Sequence, residues 1–314
     1  MTPSVYEETL ASFSIAKPTT LRVNTLKTTK EALEQSFQAS HITLTPVPWF
    51  PGAYIVNDTP LRTLTELDTY KEGHFYVQSL SSMIPALILD PKPEERVLDL
   101  CAAPGSKTTQ MAAMMGNTGT ILASDNSRLR IYKLDANLKM QGVTNTTVLF
   151  ASGQAIWEQY PESFDKTLVD VPCSMEGRIS TLDPITYEQW STGKIKELAG
   201  RQRWLLRSAI SATKPGGTIV YSTCTMAPEE NENIIDWILK KEQGKVVLED
   251  IHIEHLSYTP GLSVYKEKHY DDTMTKTMRI YPSASMEGFF VAKLKKRSST
   301  LPGATKKDHS APVA

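Results

Sequence analysis

From Gly73 onward, short apolar or β-branched runs alternate with longer stretches of helical spacing, and this alternation narrows the possible folds more than any other feature of the chain. The runs are Arg96 to Leu100, Thr120 to Ser124, Thr146 to Phe150, Lys166 to Val171 and Thr218 to Ser222. Helical stretches such as Ser127 to Met140 and Lys196 to Thr213 separate them, and Ser79 to Leu89 precedes them as an amphipathic helix ended by Pro91 and Pro93. Consecutive parallel strands need a crossover long enough to hold a helix, so this order predicts an α/β fold: a doubly wound, mostly parallel sheet covered on both faces. Val246 to Leu248 and Gly288 to Leu294 add two final strands. An open sheet of this kind binds its ligand beyond the carboxyl ends of its strands, so the residues following each run are the candidates for chemistry.

The chain before Gly73 has a different texture. Glu31 to Ala39 carries Leu33 and Phe37 at helical spacing, Ile42 to Val47 reads as a strand, and Gly52 and Asn57–Asp58 mark turns. After about residue 298 the sequence turns to Ser, Thr, Pro, Lys and Ala, which have little to bury. Three parts are therefore expected: a small domain over residues 1–72, a large domain over 73–297, and a disordered tail over 298–314.

Composition removes several classes of protein. No apolar run approaches the roughly 20 residues needed to cross a bilayer. Met1 is followed by polar and acidic residues, among them Tyr6, Glu7 and Glu8, so no signal peptide is expected and the location is read as cytoplasmic. The three cysteines are too dispersed for a disulfide framework or a metal site, and no metal is expected. A net charge of −1 shows no overall attraction for nucleic acid, so any basic surface has to be local. The basic clusters are Arg22, Lys27 and Lys30, the run from Lys194 to Arg207, and Lys293, Lys295, Lys296 and Arg297. Each is equally well a solvated face. A monomer is expected.

Four constellations follow the strands. The first, Val97 to Thr108, passes from a strand through small residues into a helix. Small side chains let backbone amides approach a ligand, Gly105 permits a turn that other residues resist, and a helix start offers free N–H groups. The spacing is not that of the dinucleotide fingerprint, and the plain alternative is a tight strand–helix turn. The second is Asp125, whose carboxylate after the next strand can accept hydrogen bonds from two ribose hydroxyls or can simply cap a helix. The third, Asp170 to Ser174, brings a carboxylate and the Cys173 thiol together around Pro172. The fourth, Tyr221 to Thr225, puts Cys224 at the mouth of the sheet, ahead of Pro228 to Glu232, where acids suit a helix start. Two thiols and a carboxylate converging on one cleft are poorly explained as packing, whereas Cys101 reads as packing.

Together these motifs resemble the Sun-type RNA 5-methylcytosine methyltransferases, the family of RsmB and RsmF. The resemblance rests on LDLCAAPGSKT at Leu98–Thr108, LVDVPCS at Leu168–Ser174, YSTCT at Tyr221–Thr225, PEENE at Pro228–Glu232 and EGFFVAKL at Glu287–Leu294. LRVNTLK at Leu21–Lys27 resembles the family's small N-terminal RNA-contacting region. The resemblance implies a class I methyltransferase, Rossmann-like sheet with one antiparallel strand at Gly288 to Leu294, behind a small N-terminal α/β domain. It implies S-adenosylmethionine as the cofactor, held by Cys101, Ala102, Ala103, Pro104, Gly105, Ser106 and Lys107, with Asp125 on its ribose, Ser152 near its adenine and Asp170 between cofactor and target base. It further implies Cys224 as the nucleophile on cytosine carbon 6 and Cys173 as the thiol that assists product release. RNA is the partner, ribosomal ahead of transfer RNA, with Arg22, Lys27 and Arg178 as candidate phosphate contacts.

The match departs from the family at three places. Ser152 stands where relatives usually carry an Asp, Met175 stands where a Gly commonly follows, and the basic pair before Asp183–Pro184 is missing. Two rival readings remain. A DNA cytosine methyltransferase would use the cysteine of the Pro172–Cys173 motif as nucleophile. A non-catalytic RNA-binding or ribosome-assembly factor would keep the fold without the reaction.

Overall fold

The structure is a computed structural model that describes residues 3–301. Its first unit is a four-stranded antiparallel sheet of β1 (Thr20–Val23), β2 (Leu44–Pro46), β3 (Ala53–Val56) and β4 (Phe75–Val77), in the order β2-β3-β1-β4. Helix α1 (Pro3–Ser12) precedes it, and α2 (Lys30–Ala39), α3 (Leu61–Glu66) and α4 (Asp68–Lys71) complete it. Thr29 caps α2 by accepting the Ala32 N–H, which sets Leu33 and Phe37 on the buried face with Leu21, Tyr54 and Phe75. Because β4 pairs with β1, this unit extends through Val77, past the boundary expected at residue 72.

The large sheet runs, among the described residues, through β11 (Thr259–Pro260), β14 (Met278–Ile280), β15 (Phe289–Lys296), β9 (Thr213–Thr223), β8 (Phe164–Asp170), β5 (Arg96–Asp99), β6 (Thr120–Asp125) and β7 (Thr146–Phe150). Its parallel half is β5 (Arg96–Asp99), β6 (Thr120–Asp125), β7 (Thr146–Phe150), β8 (Phe164–Asp170) and β9 (Thr213–Thr223), matching the five apolar runs. Helices α5 (Leu80–Leu89), α6 (Ser106–Met114), α7 (Arg128–Gln141), α8 (Ile156–Gln159), α9 (Thr192–Ala212) and α10 (Glu232–Glu242) cover it. Side chains alternate across the strands: Leu98, Val169, Ile219 and Tyr221 face α9 and α10, whereas Val97, Leu168 and Val220 face α5 and α6. Each buried aliphatic side chain of this kind stabilises the fold by about 1.5–3 kcal/mol.

Beyond β9 the sheet holds more than the sequence suggests. The expected antiparallel strand is β15 (Phe289–Lys296), which runs against β9. Its outer edge pairs with β10 (Val246–Glu249) at one end and β14 (Met278–Ile280) at the other, and β14 pairs with β11 (Thr259–Pro260). A two-residue hairpin, β12 (Val264–Tyr265) with β13 (Lys268–His269), lies apart from the sheet. Lys296 is fully buried and donates to the carbonyls of Ile210 and Thr213, so this member of the C-terminal basic cluster is interior. Of the tail expected from residue 298, Ser299, Thr300 and Leu301 are half-buried, and 302–314 lie outside the described residues. No described helix is long and apolar enough to cross a membrane.

The order of the parallel strands fixes where a ligand can sit. The chain winds outward through β5, β6 and β7 on one side, then returns to lay β8 and β9 on the other. Neighbouring crossovers diverge between β5 and β8, and a crevice opens there at the carboxyl ends.

Candidate active site

The loop from β5 to α6 forms one wall of that crevice. Gly105 has φ +106°, and a Cβ there would lie 2.8 Å from Leu134 Cδ1, so glycine is required by both conformation and space. The loop is tied on all sides. Ala102 N–H donates to the Ser124 carbonyl at 2.9 Å, Asn137 Nδ2 donates to the Pro104 carbonyl at 2.8 Å, and the Arg130 guanidinium donates to the Ala103 carbonyl. Cys101, Ala102, Ala103, Pro104, Ser106 and Lys107 all line a cleft of about 360 Å³. A second pocket of about 320 Å³ adjoins it and shares Cys101 and Arg130; Asp125 and Ser152 line this one. Asp125 is buried, accepts N–H bonds from Ala103 and Ser127, and pairs with Arg130 at 3.2 Å. The paired pockets, the fixed loop and the buried carboxylate suit an elongated nucleoside carrying a polar tail. Burial pushes the Cys101 thiol far up, in keeping with a packing role.

Lys107 reaches out of this wall toward the far one. Its ammonium lies 2.6 Å from Asp170 Oδ2 and 2.8 Å from Ser82 Oγ, while Ser222 Oγ donates to Asp170 Oδ1 at 2.7 Å. The Lys107 head group therefore serves the Asp170 carboxylate, although its sequence neighbours line the cleft with their backbone and small side chains. Beneath them Asp99 is wholly buried and accepts from Thr108 Oγ1 at 2.7 Å. Burial pushes its carboxyl up to about 7, against the pull of Thr108 and Lys107.

Cys173 follows β8 and Cys224 follows β9, and their sulfurs lie 3.3 Å apart. Both are partly accessible, and Cys224 lines the cleft with Asp170, Arg178, Glu287 and Phe289. The hydrogen bond with Cys224, then burial and the nearby Glu230 carboxylate, push the Cys173 thiol well up. Met175 adopts φ +58°, a left-handed conformation that explains why a glycine suits this position.

The three residues expected to contact RNA part company. Arg22 is buried, with Nε donating to Gln78 Oε1 at 2.8 Å and Nη2 to Thr109 Oγ1 at 2.6 Å and the Ser106 carbonyl at 3.1 Å. It cannot touch phosphate; it welds β1 to the first turn of α6. Lys27 donates to the carbonyls of Glu72 and Met140, closing the carboxyl end of α7. Arg178 alone lines the cleft, half exposed and 3.1 Å from Glu287 Oε1. Ser82, Ser222 and Glu287 were missed as site residues. Ser222 and Glu287 lie within quoted motifs, whereas nothing in the sequence around Ser82 marks it.

Known proteins resemble this chain over most of its length. Residues 86–295 match the family model described as 16S rRNA methyltransferase RsmB/F, and residues 1–80 match that for the N-terminal domain of 16S rRNA methyltransferase RsmF. A tRNA (cytosine(49)-C(5))-methyltransferase of Pyrococcus abyssi is 39% identical, over 88% of this chain and 87% of that one. The human 28S rRNA (cytosine(4447)-C(5))-methyltransferase is 37% identical over 94% of this chain, which spans only 36% of that relative's length. A solved methyltransferase homolog from Pyrococcus horikoshii superposes with a TM-score of 0.79 at 31% identity, covering 94% of this chain and 100% of that one.

Proposed function

The chain belongs to the 16S rRNA methyltransferase RsmB/F family, and from that premise we propose that it moves a methyl group from S-adenosylmethionine to carbon 5 of a cytosine in RNA, with Cys224 as the nucleophile. The observation that carries this reading is the meeting of Cys224, Cys173 and the Lys107–Asp170 pair at the ends of β8 and β9, beside the cofactor-shaped pockets. Relatives that methylate carbon 5 of cytosine in ribosomal and transfer RNA support it.

S-adenosylmethionine, when bound, supplies an electrophilic methyl group. Residues 101–106 would hold it through backbone groups, Asp125 through its ribose hydroxyls, and Ser152 through its adenine, where a hydroxyl replaces the usual carboxylate. Carbon 5 of cytosine is a weak nucleophile until a thiolate adds to carbon 6, which gives the ring enamine character. Cys224 makes that bond. Asp170, oriented by Lys107 and Ser222, serves ring nitrogen 3, where the adduct develops its need for a proton. Once the carbon 5 proton has passed to water, its electron pair re-forms the carbon 5–carbon 6 double bond and expels Cys224 as a thiolate, a departure that the hydrogen bond with Cys173 assists. The target base must leave its stack to enter the cleft. The N-terminal sheet and Arg178 then meet the neighbouring RNA, and ribosomal RNA is the preferred substrate because the first 80 residues match the RsmF N-terminal domain.

Tritiated S-adenosylmethionine and total RNA from cells lacking the gene provide the test, with bisulfite sequencing to locate the product. Label at carbon 5 of a discrete cytosine is expected. Failure to bind S-adenosylmethionine in a titration would favour the assembly-factor reading instead.

A further inference from the structure

Glu230, Asn231 and Glu232 are consecutive, polar and completely buried. Position at a helix start accounts for acids in a first turn, but such acids are ordinarily solvated. Glu232 has a plain structural partner in Arg279, whose Nη2 lies 2.6 Å from it. Glu230 has no cation: among the described residues its carboxylate is satisfied by neutral donors alone. Ser174 donates through N–H at 3.1 Å and through its hydroxyl, and Gln202 Nε2 donates at 2.6 Å. A buried carboxylate without a counter-charge is expensive to maintain, so its surroundings need an explanation.

The contacts form a pattern around the two thiols. Gln202 Nε2 also donates to the Pro172 carbonyl at 2.9 Å, so the Glu230–Gln202 couple grips the residues on both sides of Cys173. Asn231 does the same for the other cysteine. Its Oδ1 accepts from Thr223 Oγ1 at 2.6 Å and its Nδ2 donates to the Thr225 carbonyl at 2.9 Å, which grips both neighbours of Cys224. Ser174 Oγ and Thr225 Oγ1, 2.8 Å apart, join the two grips. Tyr221 donates to the Glu230 carbonyl at 2.6 Å and anchors the dipeptide to β9. Gln202 Oε1 is buried without a partner among the described residues, and the amide is committed through its nitrogen to this contact.

We propose that Glu230 and Asn231 are positioning residues that form a two-armed brace, one arm for each cysteine, and so set the 3.3 Å separation of Cys173 and Cys224. The inference rests on the reading that these thiols carry the reaction. Neither residue touches cofactor or base; each acts through the loops it holds. Loss of an arm leaves the thiols in place but lets their separation wander, which slows the steps that need both.

Dibromobimane, which fluoresces once both its arms have alkylated thiols, measures the separation without reference to methylation. Glu230→Gln and Asn231→Ala should each slow Cys173–Cys224 bridging by about tenfold, the scale of one buried hydrogen-bond partner lost. S-adenosylmethionine affinity should stay within about twofold, kcat for RNA should fall in step with bridging, and KM should hold. Glu230→Asp should recover part of both rates. Should Glu230→Gln prove insoluble, Ser174→Ala, which removes the hydroxyl that donates to Glu230 and joins the two arms, decides the matter in the same assay. Bridging at the parent rate in a soluble variant overturns the brace. Slowed bridging in a protein whose parent methylates no RNA upholds the brace and overturns the proposed reaction.

Discussion

Lys107 Nζ and Asp170 Oδ2 lie 2.6 Å apart, although one residue lies in the first turn of α6 and the other ends β8. The pair closes the crevice between two diverging crossovers and brings a cation to the carboxylate that shares the cleft with Cys224. Lys107 is buried and Asp170 half-buried, so solvent screens them less than a surface pair. Lys107→Met removes the cation and keeps much of the apolar stem. We expect kcat to fall by about 10- to 150-fold, from about 1.5–3 kcal/mol for a lost charged hydrogen bond. Calorimetric affinity for S-adenosylmethionine should change little. A large loss of that affinity at unchanged kcat would return Lys107 to the cofactor pocket alone.

Arg22 holds the small sheet to α6 through acceptors in Gln78, Ser106 and Thr109. Arg22→Ala leaves these buried acceptors unsatisfied, and we expect a loss of about 2–4 kcal/mol in urea unfolding. The dependence of RNA affinity on salt should keep its slope, because no phosphate contact is removed. Arg178→Ala should do the opposite, flattening the slope with little effect on stability. Equal flattening by Arg22→Ala would mean that the N-terminal weld opens on RNA.

What the sequence made legible follows from which forces are local. Alternating runs located all five parallel strands because each strand's periodicity depends on burial of its own faces. The Gly105 turn and the two cysteine turns were legible because they need special backbone or special chemistry at fixed offsets. Long-range satisfaction of polar groups was not. Arg22 and Lys27 read as a basic patch because the acceptors they reach lie far off in the chain, 45 and 113 residues away for the two carbonyls on Lys27 and 87 for the Thr109 hydroxyl on Arg22. Glu230 read as a helix-start acid for the same reason, since Ser174 and Gln202 reach it from other elements. Strands β11 and β14, two and three residues long, are too short to carry a period.

Met175 holds a left-handed conformation at the turn after Cys173, next to the residue that bonds Glu230. A side chain with a Cβ is disfavoured there by about 1–2 kcal/mol, whereas glycine is not. The freedom glycine adds to the unfolded chain offsets about 0.4–1 kcal/mol of that gain. Met175→Gly should therefore raise stability by about 0.5–1 kcal/mol in chemical denaturation. A destabilised variant would show that the half-exposed Met175 side chain makes contacts worth more than the strain it carries.

Asp99 titrates at about 7 in the fold because burial disfavours its charge, whereas an exposed aspartate titrates near 4. Between those values the folded chain holds a proton that the unfolded chain has released. Stability from this group is thus present in full below about pH 4 and is lost progressively as pH rises to about 7, by a few kcal/mol. Asp99→Asn cannot titrate and should flatten this part of the pH profile. Thermal melts of parent and variant at intervals from pH 4 to 8 make the comparison, and the difference between them isolates Asp99 from other acids. An identical slope in both would mean that Asp99 releases its proton over the same pH range in the folded and unfolded chains, so that burial does not hold it protonated.

The two sulfurs at 3.3 Å allow the division of labour between cysteines to be tested directly. Cys224→Ala removes the proposed nucleophile, so methylation should vanish while S-adenosylmethionine still binds. Cys173→Ala leaves that attack possible and removes the thiol proposed to assist breakdown of the adduct. RNA should then accumulate on the protein as a band that survives denaturing electrophoresis, and the double variant should lose it. The rival assignment, in which the cysteine of the Pro172–Cys173 motif attacks as in DNA cytosine methyltransferases, makes the reverse prediction. A covalent band that persists in Cys224→Ala and disappears in Cys173→Ala would overturn the nucleophile proposed here, while leaving the fold, the cofactor pockets and the brace between the two loops as described.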